Sequence, residues 1–168
     1  MRPRVRKFAL TAHVVFSVGW LGAIASFLGL AIVGLTSDDA QTVRGAYLVM
    51  KPAAWLVLVP LAFASLLTGL VQAVGTTWGL FRHYWVMFKL LINVAATIVL
   101  LLYMETFRSM ADVAADPSAD LSAVRNASPV LHAGAALLLL VAATTLAVYK
   151  PRGVTRYGRR AQLEEPSV

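Results

Sequence analysis

Two ionisable residues stand alone in long apolar stretches, and they are where chemistry would be sought first. His13 lies within a segment free of Asp, Glu, Lys and Arg from Phe8 to Ser37, and Lys89 alone interrupts the stretch from His83 to Met104. Placing such a group inside a membrane costs at least ~2.5 kcal/mol on insertion scales, so it marks a candidate site. An imidazole can ligate a metal or move a proton. A lysine can balance a carboxylate. Counted from the start of its stretch, each residue lies about 7–9 Å deep at 1.5 Å per residue. Both stretches start from the same side, so the two share a depth. Each also sits on a patterned face. Trp85, Lys89, Asn93 and Thr97 recur every four residues, and His13, Ser17 and Trp20 fall on one side of their helix. The simpler alternative is that Lys89 snorkels to the surface and His13 satisfies a backbone carbonyl. His13, Lys89, Trp20 and Asn93 are therefore the candidate cofactor-binding residues, with His13 the candidate metal ligand.

The elements that would position them follow from the charge map. The chain has 168 residues, is 59% hydrophobic and only 14% charged. Soluble domains carry roughly 25% charged residues. A bilayer core of ~30 Å needs about 20 apolar residues in a helix. Four stretches qualify, and four strands could not close a barrel. The expected fold is all-α: a single integral membrane domain, with helices near 8–35, 52–74, 83–105 and 129–149. Pro52 and Pro129 suit first-turn positions. Ser128 suits an N-cap, Pro60 should kink the second helix, and Gly75 with Gly79 marks the turn that follows. The apolar run after Lys7 is too long for a cleaved leader and is expected to be retained. A short interfacial helix is expected before Asp116-Pro117.

Orientation follows from Lys/Arg bias. Ten basic residues fall on one side: Arg2, Arg4, Arg6, Lys7, Arg82, Lys150, Arg152, Arg156, Arg159 and Arg160. Arg44, Lys51, Arg108 and Arg125 fall on the other, with six of the eight acidic residues. Both termini are expected in the cytoplasm, with basic tails 1–7 and 150–168, in a bacterial inner membrane. The tails fit attraction to anionic lipid rather than nucleic-acid binding. Small residues mark expected helix contacts at Gly22, Ser26 and Gly29, and at Ser65, Gly69 and Ala73.

Other chemistries are narrower. No cysteine is present, which excludes thiolate metal sites and thiol catalysis. A haem between His13 and His132 fails on depth, since the two should lie roughly 15–20 Å apart along the bundle. His83, beside Arg82, reads as an interfacial residue. Met50, Met104, Met110 and His132 map to the exoplasmic end, and thioether with imidazole suits copper(I).

The segments His13-Val-Val-Phe-Ser-Val-Gly-Trp20-Leu-Gly22, Thr68-Gly69 and His83-Tyr-Trp85-Val-Met-Phe-Lys89 carry a resemblance. The chain is similar to an uncharacterised family of small bacterial four-span membrane proteins. More distantly it resembles the HemJ-type protoporphyrinogen oxidases and the membrane domain of CopD-type copper-resistance proteins. The HemJ resemblance implies a functional pair at His13 and Lys89 and association with haem b or a porphyrin. It covers roughly residues 8–105. One departure is the Gly29–Leu35 region, which is small and aliphatic where the HemJ type carries Arg and Tyr. Alongside a tetrapyrrole site, two readings stay open: a non-catalytic partner subunit or homo-oligomer, and copper handling.

Overall fold

A computed structural model describes residues 1–76 and 79–164. Helix α1 spans Pro3–Thr36, α2 Ala40–Ala53, α3 Val59–Gly75, α4 Tyr84–Ala115, α5 Ser128–Tyr149 and α6 Arg156–Glu164. A π-helical turn, Ala54–Leu58, joins α2 to α3 without a break. Four helical segments are thus long and apolar enough to cross a membrane: 3–36, 40–75, 84–115 and 121–149. Most of each apolar window faces outward, down to 11% buried in the last. That exposure fits hydrocarbon as the surrounding solvent, where every backbone group must bond within its own helix. The start of α1 and the segment after α5 come to one end of the bundle, where Arg6 and Lys150 line a common cavity. There Thr155 N–H donates to the Arg82 carbonyl (3.0 Å), and His83 pairs with Val154.

Three of the four helices outrun the limits expected from charge. The second begins at Ala40, not at Pro52, and the third continues to Ala115, not 105. The first begins at Pro3, so residues 3–7 are helical rather than a bare tail. Charged residues mark where hydrocarbon ends, but helical hydrogen bonding continues beyond it. Asp39 caps the second segment, accepting from Thr42 N–H (2.9 Å) and Gln41 N–H (3.4 Å). The two extensions pack as an amphipathic pair. Val43, Ala46, Tyr47 and Met50 are buried on α2, and Phe107, Met110, Ala111 and Ala114 on α4. The expected interfacial helix is the end of α4.

Pro52 therefore lies inside a helix, and the disturbance expected at Pro60 takes the form of the π turn. Pro60 has no N–H to offer the carbonyl of Leu56, four residues back. Val59 N–H instead reaches Ala54 O, one residue further than in an α-helix. Ser128 is not an N-cap but the first residue of α5. The Asn126 side chain accepts from Ser128 N–H (3.0 Å) in its place. Gly79 takes φ +62°, as the turn after α3 requires. The C-terminal tail carries α6, whose cap Thr155 accepts from Gly158 N–H (3.0 Å).

The small-residue faces divide. Ser65, Gly69 and Ala73 turn into the bundle: Ser65 Oγ meets Ser17 Oγ at 2.8 Å. Gly22, Ser26 and Gly29 turn outward, and a Cβ on either glycine would meet nothing within 4 Å. The seam of α1 is instead Trp20, Ile24, Phe27 and Ala31, at i, i+4, i+7 and i+11. Arginines close two helix ends away from the termini. Arg44 donates to the carbonyls of Val113, Ala114, Asp116, Pro117 and Ala119. Arg125 donates to those of Leu35 (3.0 Å) and Ser37 (2.8 Å). Each donates to carbonyls at a helix C-terminus and in the residues just beyond it.

Candidate functional site

His13 on α1, Thr68 on α3 and Lys89 on α4 meet near the termini end of the bundle. His13 is 7% exposed. Its Nδ1 lies 3.1 Å from Thr68 Oγ1, and its Nε2 lies 2.9 Å from Lys89 Nζ. Gly69 makes room for the ring, since a Cβ there would stand 3.0 Å from His13 Cε1. A side chain at this position would push the imidazole away from Thr68.

Hydrogen counting fixes the direction of these bonds. Thr68 has one hydroxyl hydrogen, and it points to the carbonyl of Ala64 at 2.6 Å. The Thr68 oxygen can therefore only accept from the imidazole, so His13 Nδ1 carries a hydrogen. With the hydrogen of a neutral imidazole on Nδ1, Nε2 offers a lone pair, and the Lys89 amine 2.9 Å away carries hydrogens to give. Lys89 thus donates to a lone pair on Nε2. An imidazole held through Nδ1–H with Nε2 as acceptor has the tautomer of a metal ligand or proton acceptor.

Asn93 and Thr97 extend the stripe of α4 but do not reach His13 by hydrogen bonds. Asn93 Nδ2 donates to the Lys89 carbonyl (3.0 Å), and Thr97 Oγ1 to the Asn93 carbonyl (2.8 Å). Bonding back along their own helix lets both be buried, at 7% and 4% exposed. Asn93 does line a cavity of about 350 Å³ with His13 and Lys89. Arg6, Gln72 and Lys150 line the same cavity, and none of them was singled out from sequence as part of a site. Arg6 and Lys150 belong to the flanks of helices that converge only in the fold. The i, i+4 spacing of Thr68 and Gln72 was the one signal available for Gln72.

Trp20 is placed elsewhere. Seven residues beyond His13 it keeps the same side of α1 but stands about 10 Å further along the axis. It lines a second cavity of about 310 Å³, with Phe27, Met50, Tyr103 and His132. His132 is bonded through Nδ1 to the Ser128 carbonyl (2.8 Å), and its ring centroid lies 4.5 Å from that of Tyr103. Of the residues read as copper donors, Met50 and His132 share this cavity, while Met104 and Met110 pack into the main core. His83 precedes α4 and pairs with Val154, away from His13.

Searched against family models, curated proteins and solved structures, the chain matches none of them.

Proposed function

We propose that this chain is a multi-pass protein of a bacterial cytoplasmic membrane, with both termini in the cytoplasm, that binds a tetrapyrrole beside His13 and Lys89. The observation that carries the reading is the Lys89–His13–Thr68 chain opening onto a cavity with apolar walls and basic residues. The resemblance to HemJ-type proteins points to the same two residues. The ten basic residues at the termini end support the orientation.

The residues present fit such a group. His13 Nε2 is the nitrogen that would meet iron once Lys89 turns aside. Lys89, Arg6 and Lys150 offer counter-charges to ring carboxylates. Bound there, haem would supply one-electron chemistry, and a porphyrin a ring open to oxidation. Thr68 holds the imidazole orientation in either case. Purified protein titrated with haem or protoporphyrin is expected to develop a Soret band that His13→Ala removes. Protein that stays colourless with both ligands would refute the reading.

A second reading is supported by Gly22, Ser26 and Gly29, which face outward; a Cβ on either glycine would meet no described atom within 4 Å. Small residues at a lipid-facing surface allow close helix approach. In a partner subunit or homo-oligomer, Gly22→Leu would lower assembly size on native gels while leaving tetrapyrrole binding intact.

A further inference from the structure

The second cavity, about 310 Å³ and bounded chiefly by α1, α4 and α5, holds a donor that the described chain leaves unused. Trp20 lines it and is 1% exposed, and its indole Nε1 is buried with no hydrogen-bond partner among the described residues. A buried tryptophan ordinarily finds an acceptor for this group, because the hydrogen bond it made with water is otherwise forfeited. The N–H presents its positive end, so what it lacks is an oxygen lone pair and not a metal ion. A single water would need about two to four polar partners. This cavity offers few: the Tyr103 hydroxyl is engaged with Ser128 Oγ at 2.9 Å, and among the described residues no charged side chain lines the wall.

The rest of the wall narrows what could carry that oxygen. Phe27, Tyr103 and Phe107 line it, with the Phe107 ring centroid 5.5 Å from that of Phe27 and 5.1 Å from that of Tyr103. Such a wall favours a planar ring. Ala95 and Val99 on α4, with Ala135 and Leu139 on α5, line the cavity and are exposed, so it opens between these helices onto the apolar surface. His132 supplies a second polar group. Its Nδ1 donates to the Ser128 carbonyl (2.8 Å), so Nε2 of the neutral ring holds a lone pair. A charged lipid head would find no counter-charge here, and an acyl chain would leave the indole N–H bare. We propose that this cavity binds the head ring of a lipid-soluble quinone, with a ring carbonyl accepting from Trp20 N–H and the apolar tail leaving between α4 and α5. A quinone is neutral and planar, carries oxygens on opposite sides of one ring, and bears hydrogen on them when reduced, as the His132 lone pair would accept. The volume lies at the lower end of the ~300–1,000 Å³ of small-molecule sites, enough for a head ring with its tail outside. The inference concerns a different cavity from the tetrapyrrole reading and does not depend on it.

The test uses the full chain in neutral-detergent micelles, titrated with radiolabelled decyl-benzoquinone. The chain has no cysteine, so the probe cannot be captured by a thiol. Saturable binding of a single molecule per chain is expected. Decylbenzene, with the same tail and no oxygens, should compete about fivefold more weakly, the worth of one hydrogen bond. Trp20→Phe keeps a ring but removes the N–H, and it should erase that preference for the quinone, which a loss of packing alone would not do. Ala135→Phe should fill the opening and abolish saturable binding. Ala135 is exposed, so this variant keeps the test decisive if Trp20→Phe does not fold. Absence of saturable binding overturns the proposal. So does equal competition by decylbenzene, a preference that survives Trp20→Phe, or unchanged binding in Ala135→Phe. Quinone binding without a Soret band from added tetrapyrrole would retire the tetrapyrrole reading and leave this one standing, and a Soret band without quinone binding would do the reverse.

Discussion

The two ends of the bundle use the same basic residue types in opposite ways. At the end away from the termini, the basic side chains meet oxygen from the chain itself. Arg44 ties the C-terminus of α4 and the loop after it together on five carbonyls, and Arg125 closes the end of α1 on two. Lys51 meets Asp112 at 3.2 Å, and Arg108 stands 3.9 Å from both Glu105 and Asp112. At the termini end, Arg6 and Lys89 instead line a cavity, and Lys89 meets the His13 imidazole at 2.9 Å. A cation matched to carbonyls is part of the scaffold. A cation on the wall of a cavity is placed where a ligand could meet it. Sequence counts place four basic residues at one end and ten at the other but do not separate these roles.

The comparison is broken most forcefully at Arg44. Arg44→Ala should strip several carbonyls of their donor and lower stability by about 3 kcal/mol, because hydrogen bonds to a charged group are worth ~1.5–3 kcal/mol each. Chemical denaturation in mixed micelles measures it. Arg44→Lys should recover only part, since a lysine head cannot span the fork of five acceptors. The second effect is at the other end. Gly69→Leu should cost ~1–3 kcal/mol by overpacking against His13 and abolish ligand binding together with it. A fully stable, binding-competent Gly69→Leu protein would contradict the close approach at Cε1.

Thr68→Val sharpens the site more selectively. It removes the Thr68 oxygen as an acceptor for His13 Nδ1–H, at ~1 kcal/mol. It should also let the imidazole rotate, shifting the Soret position of bound haem while Thr68→Ser preserves it. A spectrum unchanged in Thr68→Val would separate Thr68 from the site.

Acid should loosen the far end first. Hydrogen bonds from Thr42, Ser118 and Ser122 hold the carboxyls of Asp39, Asp116 and Asp120 below the usual aspartate range. A depressed carboxylate contributes stability that is fully present above its unfolded value of ~3.9 and is lost as pH falls through the lower folded value. Hydrogen exchange at residues 39–43 and 116–122 should therefore rise below about pH 4. Smallest of all, Lys51→Ala should change stability by no more than ~0.5 kcal/mol, because both partners of its ion pair are substantially exposed.

Helix number, apolar character and the candidacy of His13, Lys89 and Asn93 were legible in the sequence. Each depends on local composition and on the 3.6-residue period, which one strand of text carries. The helix ends at Ala40 and Ala115 were obscured, because charge marks the limit of hydrocarbon and not of backbone hydrogen bonding. The periodic Val43, Ala46, Tyr47 and Met50 were the signal that charge counting overlooked. Trp20 shows the limit of face arguments: the period gives the side of a helix, while translation along the axis put it in another cavity. What tertiary structure alone decided is pairing between elements. Thr68 meets His13 across 55 positions, Lys89 meets it across 76, and Arg44 reaches carbonyls 69 to 75 positions away. Such contacts depend on the relative rotation and depth of separate helices, set by how side chains interlock. The sequence alone determined an α-bundle of helices long and apolar enough to cross a membrane, with an isolated lysine. Packing determined that the lysine ends on an imidazole rather than in water.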